Sequence, residues 1–291
     1  MRYREPVYRP PSEASSLLVQ ATYGCPWNRC SFCGMYKGSK YQVRSTDDIK
    51  EDLAEAHLEV GRHVRTLFFP DGNSIAMPTA RLAEICRYAY RIFPHLERIT
   101  VYGSAKFVLK KSPEELSELR AAGLGRIHMG MESGHGPTLE RVRKGVTPEQ
   151  IVEAGQRVVA SGIELSEYYL VGLAGTELSR EHAEASAEVL SAFGPDFLRI
   201  RTLRPIPGTP LHDEVAAGRF ELPGPHEALR EIRLLIERLD CETQVFSDHV
   251  SNYADVAGRM PGERQRMLGL IDGALEVAEE ALQPRYISPG L

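Results

Sequence analysis

The sequence predicts an α/β fold, a partial (β/α)6 barrel of parallel strands with a mainly helical C-terminal extension. Three observations carry that prediction. Between residues 17 and 202, six short apolar runs suited to strands alternate with segments of helical periodicity. Strand–helix alternation of this kind builds a parallel sheet with right-handed crossovers, and six strands are fewer than the eight of a closed barrel. After Pro210 the alternation stops, leaving a tail suited to covering the open side.

The elements follow in order. Residues 17–22 read as the first strand, ending at a cysteine-rich loop. Ser45 or Thr46 caps a helix through Glu59. Residues 66–69 form the second strand and 78–93 its helix, with Leu82, Ile85, Cys86 and Ala89 on one buried stripe. Residues 98–102 form the third strand, and Ser112 caps a helix over 113–122. The fourth strand covers 126–131, with a helix over 148–160. The fifth covers 164–171, with a helix over 180–193, and the sixth covers 197–202. In the tail, 227–239 and 263–282 read as helices, with 243–253 irregular or extended between them. The domain reading is therefore an N-terminal extension (1–16), the barrel (17–215) and a helical extension (216–291).

Composition narrows the function classes. The chain has 291 residues, 42% hydrophobic and 26% charged, enough for a large soluble core. No apolar run reaches the roughly 18 residues of a membrane span, and the polar start lacks a secretory signal, so the expectation is a cytoplasmic protein. A formal net charge of -5 argues against a general grip on nucleic acid. Five cysteines, three of them clustered, do not make a disulfide framework. Cys86 is expected to pack in the core and Cys241 to be a packed or functional thiol.

Strand parity points to a ligand. Ile127, Met129 and Met131 share one face of the fourth strand, while His128, Gly130 and Glu132 share the other. Leu198 and Ile200 likewise oppose Arg199 and Arg201. If the apolar faces meet the helices, the polar faces line the lumen. Such groups need a polar ligand or water.

The densest chemistry lies at Cys25, Cys30 and Cys33, within one nine-residue stretch. Four-iron clusters normally take four cysteines, so three leave one iron open for chemistry. Two rival readings use the same thiols. A Cys3His zinc module needs a nearby histidine, and His63 lies thirty residues beyond Cys33. A non-catalytic iron–sulfur electron-transfer protein needs a fourth ligand and no cofactor pocket.

The three-cysteine loop after the first strand resembles that of the radical S-adenosylmethionine (SAM) superfamily. Four further features resemble the family in its order: Phe32 before the last cysteine; Pro70-Asp71-Gly72-Asn73-Ser74 after the second strand; Gly130-Met131-Glu132-Ser133-Gly134 with Leu139-Glu140-Arg141-Val142-Arg143-Lys144-Gly145; and Arg204-Pro205-Ile206-Pro207-Gly208-Thr209-Pro210-Leu211. The last two are similar to the Elongator and methylthiotransferase-type subgroup. One departure is the four residues between Cys25 and Cys30, where the family commonly has three. The slack must bulge, and Pro26 is the expected site.

The resemblance implies a [4Fe–4S] cluster on Cys25, Cys30 and Cys33 and SAM as the second cofactor. It places Phe32 near the adenine, and Asp71, Gly72 and Asn73 at the methionine amino group. Ser104 and Glu132 meet the ribose or methionine end, Arg143 or Arg201 the carboxylate, and backbone from Val171 to Ala174 the adenine. It further implies reductive SAM cleavage, a 5′-deoxyadenosyl radical that abstracts hydrogen from a small-molecule substrate, and a low-potential electron donor of flavodoxin or ferredoxin type. The substrate itself is barely legible. The second of Arg199 and Arg201 suits an anionic molecule, and His249, Asn252 and Tyr253 are candidates to reach it from the tail. The alternative for that tail segment is a loop tied by its own side chains.

Overall fold

In the structure, a computed structural model that describes residues 1–283, the first strand is shorter than the sequence suggests. β1 (Leu17–Leu18) ends after two residues. The chain then forms β2 (Thr22–Tyr23), which pairs antiparallel with β3 (Gln42–Val43) in a separate ribbon. The cysteine loop therefore leaves this ribbon and not a strand of the main sheet.

Next come α1 (Thr46–Val60), β4 (Thr66–Phe69), α2 (Thr79–Ile92), β5 (Arg98–Gly103), the short α3 (Ala105–Val108), α4 (Pro113–Ala121) and β6 (Leu124–Glu132). The caps are those the sequence marks. The Ser45 side chain accepts from the Asp48 amide, and Ser112 and Glu115 close a reciprocal capping box. Beyond β6 lie α5 (Gly136–Arg141), α6 (Pro148–Ala160), β7 (Glu164–Val171), α7 (Ser179–Ser191) and β8 (Phe197–Thr202). The tail adds α8 (Pro210–Ala216), α9 (Pro225–Arg238), β9 (Thr243–Phe246), β10 (Ala257–Met260) and α10 (Arg264–Leu275).

The strand order is β1-β4-β5-β6-β7-β8-β9-β10. Neighbours run parallel from β1 to β6 and from β7 to β9, while β10 runs antiparallel to β9. The six predicted strands are thus consecutive members of an eight-stranded sheet. The segment expected to be irregular or extended supplies β9, so the tail extends the sheet as well as adding helices. The last helix stops at Leu275, with Gly273 in its final turn, where glycine lowers helical stability. The final eight residues of the proposed extension lie outside the described residues. No helix among the described residues is long and apolar enough to cross a membrane.

The chain divides into two compact units. The first comprises Met1–Asn28, Tyr36–Met129 and Arg157–Leu165; the second comprises Arg29–Met35, Gly130–Gln156 and Ser166–Leu291. The first is built on Leu67, Phe68, Phe69, Ile99, Val101 and Ile127, all without solvent exposure, packed with Leu82, Ile85 and Cys86 of α2. Burial pushes the Cys86 thiol up to about 12, as befits a core thiol.

The parity argument is corrected within this unit. Tyr102 and His128 pair in register on the face expected to await a ligand. Phe68 packs edge-on to Tyr102, at 5.0 Å between ring centroids. His128 Nε2 lies 3.2 Å from Glu13 Oε1, and Glu13 is fully buried and also held by Ser16 and Arg98. Arg126 pairs with Glu164 at 2.8 Å. The N-terminal extension thus supplies a protein partner where a ligand was expected.

The second unit has a polar knot under its apolar core. Glu231 of α9 accepts from the Tyr169 hydroxyl at 2.8 Å, the Gly172 amide at 2.9 Å and the Ser179 hydroxyl at 2.6 Å. His182 Nδ1 lies 3.1 Å from the same carboxylate. Residues of β7, the following loop and α7 are thereby tied to one side chain of the tail.

Candidate cluster and cofactor site

In the first unit, Cys25 is a free, half-buried thiol. Gly72 is packed directly against it: a side-chain carbon at Gly72 would lie 2.6 Å from Cys25 Cβ and 2.9 Å from the Tyr36 ring. The Gly72 amide also donates to the Gly24 carbonyl at 3.2 Å. The absent side chain makes way for the cysteine loop.

The residues flanking Gly72 are buried and polar. Asp71 has φ 78, and burial pushes its carboxyl up to about 7 against the hydrogen bond from Gln20. Asn73 donates to Ser104 Oγ at 2.7 Å, which joins two predicted cofactor residues. The Asn73 side-chain oxygen Oδ1 is buried with no hydrogen-bond partner among the described residues. Tyr41, not singled out in the sequence, is raised to about 12 by burial and then by the charge of Cys25.

Within the loop the backbone takes a left-handed conformation at Asn28 and not at Pro26. Asn28 takes φ 45, a conformation asparagine tolerates better than most residues. Its side chain donates to the Tyr36 carbonyl at 2.5 Å, and Lys37 donates to its carbonyl at 3.0 Å. Trp27 lies under the Lys106 ammonium, 4.1 Å from the ring centroid.

In the second unit, Cys30 and Cys33 are also half-buried and outside any disulfide. Between them, the Ser31 amide donates to the Val142 carbonyl at 2.9 Å, and the Ser31 carbonyl accepts from Leu211 at 3.0 Å. Phe32 packs on a cluster of Val142, Leu173, Leu203, Leu211 and Phe220. The structure therefore joins the aromatic of the cysteine loop to Leu173, inside the stretch expected beside the adenine.

Glu132 ends β6 with φ 65 and pairs with Lys144 at 3.1 Å. The absent side chain of Gly130 leaves room for that carboxylate. Burial lowers the Lys144 ammonium, but the charges of Glu132 and Cys30 outweigh it and hold the group above its ordinary value. Arg143, expected to reach a carboxylate, is exposed at φ 54. Its neighbour Lys144 is the cation the turn directs inward. The sequence reading also missed Glu167, which is fully buried and takes hydrogen bonds from the backbone of Met131 and Tyr168.

The substrate candidates fall into two kinds. Arg199 donates to Ser166 at 3.1 Å and lies over Phe246. Arg201 stacks on Tyr168, its guanidinium 4.7 Å from the ring centroid. His249 is pushed down to about 4, by burial first and then by Arg201, and its Nδ1 lies 2.8 Å from Ser251 Oγ. Asn252 spends its amide on structure. Its nitrogen donates to the Ile200 and Ser247 carbonyls, and its oxygen accepts from Thr202 at 2.9 Å. Asn252 thus fastens the 247–253 loop to β8, as the alternative reading of that loop held. Tyr253 lies under Arg204, 5.3 Å away. Val171 is buried at the end of β7.

Cys25 in the first unit and Cys30 and Cys33 in the second offer thiols, soft donors suited to iron–sulfur chemistry, and the lysine charge near Cys30 suits a thiolate. Among the described residues, no three His, Cys, Asp or Glu side chains gather as ligands of one metal ion would. A four-iron cluster spreads its thiolates over separate irons, so such convergence is not its requirement. The Asn73 side-chain oxygen of the first unit, buried without a hydrogen-bond partner among the described residues, fits a residue that would meet a polar group.

Comparisons with known proteins agree. The model of the Radical SAM superfamily matches residues 19–188, which contain the cysteine loop, Glu132 and Val171. An uncharacterized methyltransferase of Pyrococcus horikoshii is 24% identical over 208 residues, covering 70% of this chain and 43% of the relative. The chain thus spans less than half that relative's length. A biotin synthase of Anaeromyxobacter sp. is 26% identical over 266 residues, covering 84% of this chain and 69% of the relative. Among solved structures, methylornithine synthase matches with TM-score 0.55 at 17% identity, covering 89% of this chain and 69% of that one. The radical SAM methyltransferase TsrM from Kitasatospora setae matches with TM-score 0.57 at 23% identity, covering 72% and 40%. At these identities the structural matches speak for the fold.

Proposed function

The chain belongs to the Radical SAM superfamily, and from that premise we propose that it cleaves SAM reductively to act on a small, anionic substrate. Cys25, Cys30 and Cys33 would hold the [4Fe–4S] cluster in this reading, leaving room for SAM as the second cofactor. When bound, cluster and SAM together supply a 5′-deoxyadenosyl radical that takes a hydrogen atom from the substrate.

The protein's own residues bind and orient. Asp71 and Asn73 receive the methionine amino group, with Ser104 beside Asn73 and Gly72 backing the cysteine loop. Glu132 accepts from the ribose hydroxyls, while Phe32 and the backbone from Val171 hold the adenine. Arg201, stacked and positively charged, takes a carboxylate, and Arg199 and His249 complete an anion-binding corner for the substrate. Electrons come from a flavodoxin or ferredoxin type donor.

The observation that carries the reading is the pairing of Glu132 with Lys144 in the electrostatic reach of Cys30. In this reading it puts a residue that would meet SAM near a thiol that would hold the cluster, as neither a zinc staple nor a simple electron carrier requires. The test is anaerobic reconstitution of wild type and Cys30→Ala. Wild type should be brown and release 5′-deoxyadenosine from SAM under a low-potential reductant; Cys30→Ala should lose both. A variant that keeps cleaving SAM would end the assignment.

A further inference from the structure

Gln20 lies between β1 and β2, buried in the first unit, and its side-chain amide is fully employed. The oxygen accepts from the Arg4 amide at 2.7 Å. The nitrogen donates to the Arg4 carbonyl at 3.1 Å and to Asp71 Oδ2 at 2.9 Å. A backbone N–H can only donate and a backbone carbonyl only accept, so Arg4 dictates which end of the amide faces Asp71. Reversed, the amide would set its oxygen against the carboxylate. The main chain of Gln20 is held as well. Its carbonyl accepts from Arg44 at 2.6 Å, and Arg44 pairs with Asp52 at 2.6 Å.

Asp71 needs such a hold. Its φ of 78 is left-handed, a conformation that costs any residue with a side chain and persists only where the surroundings enforce it. On its other side Gly72 is wedged against Cys25 and the Tyr36 ring, and Tyr36 meets Tyr8 edge-on at 5.9 Å between ring centroids. The N-terminal extension therefore braces the 71–73 turn twice, from Arg4 through Gln20 and from Tyr8 through Tyr36.

We propose that Gln20, oriented by the Arg4 main chain, is a positioning residue that fixes the Asp71 carboxylate and the turn through Asn73 in the conformation that receives the methionine end of SAM. This rests on the cofactor reading above and adds to it a duty for the N-terminal extension. A turn already set before the ligand arrives loses less order on binding, and so binds more tightly.

The test measures dissociation constants for S-adenosylhomocysteine and for adenosine, which lacks the amino-acid end. The proteins are reconstituted wild type, Gln20→Leu and Arg4→Pro. Leucine cannot hold the carboxylate, and proline removes the N–H that orients the amide. Both variants should bind S-adenosylhomocysteine about tenfold more weakly than wild type and adenosine as wild type does. Equal losses on the two ligands would mean a general effect on the fold and would overturn the proposal. So would an unchanged affinity for S-adenosylhomocysteine in either variant. Because Gln20 acts through Asp71, adding Gln20→Leu to Asp71→Ala should weaken S-adenosylhomocysteine no further; additive losses would refute it. If Gln20→Leu does not fold, Arg4→Pro decides, since it keeps the Gln20 side chain. Failure of the underlying reading shows separately, as wild type that binds no S-adenosylhomocysteine and makes no 5′-deoxyadenosine from SAM.

Discussion

Glu13 has no access to water, yet its carboxyl sits at about 2, below its ordinary value. Burial alone would raise it; hydrogen bonds from His128 and Ser16 and the charge of Arg98 win. The ionised form is therefore favoured in the folded state. That contribution is present in full above about pH 4.5 and is lost as pH falls toward 2, and it amounts to roughly 3 kcal/mol. Urea unfolding of wild type and Glu13→Gln at pH 6, 4 and 3 should show a gap of this order that narrows with acidity. A constant gap would contradict the assignment. At this scale the sequence was uneven. Cys25, Cys30, Cys33 and Glu132 could be found from spacing and motif. Glu13 could not, because its partners Arg98 and His128 stand 85 and 115 positions away. Glu167 was passed over because β7 also carries Glu164 and Ser166, and the sequence gives no sign of which of these polar groups is buried.

The loop after β7 is held by a helix that the sequence marks as a mere cover. α9 has one buried acid, and through Glu231 it grips Tyr169, Gly172, Ser179 and His182. Removing one member of a buried charged network leaves the others unpaired, at a cost of about 3–5 kcal/mol. Glu231→Ala should lose stability of that order. It should also speed amide exchange at Gly172 well beyond that of β5. Protection at Gly172 equal to wild type would show that the loop is held by something else. The 247–253 loop is fastened in the same manner, with Asn252 as the peg and His249 presented beside Arg201. Periodicity located both helix and loop to within a few residues. It did not show that the tail adds strands, because Thr243–Phe246 is only four residues long and follows a break in the pattern.

Across the whole molecule, cofactors that bind only the folded chain add to its stability by mass action. SAM at a hundredfold its dissociation constant contributes about 2.7 kcal/mol. The melting temperature should therefore rise in two steps, on reconstitution with iron and sulfide and again on adding SAM, and removal of iron by a chelator should reverse both. A melting temperature indifferent to iron would count against the cluster. The α/β class, the six central strands, the cysteine loop and the family those motifs resemble could all be read from the residues alone. Each of these is encoded locally, in alternation, spacing or a short run of residues. Which polar groups are answered emerged from the folded arrangement. It gave His128 to Glu13, Asn252 to β8 and Lys144 to Glu132, and left Asn73 with an oxygen to spare. Such pairings join residues far apart in the chain, and the cost of an unpaired buried charge becomes visible only once folding has removed the water around it.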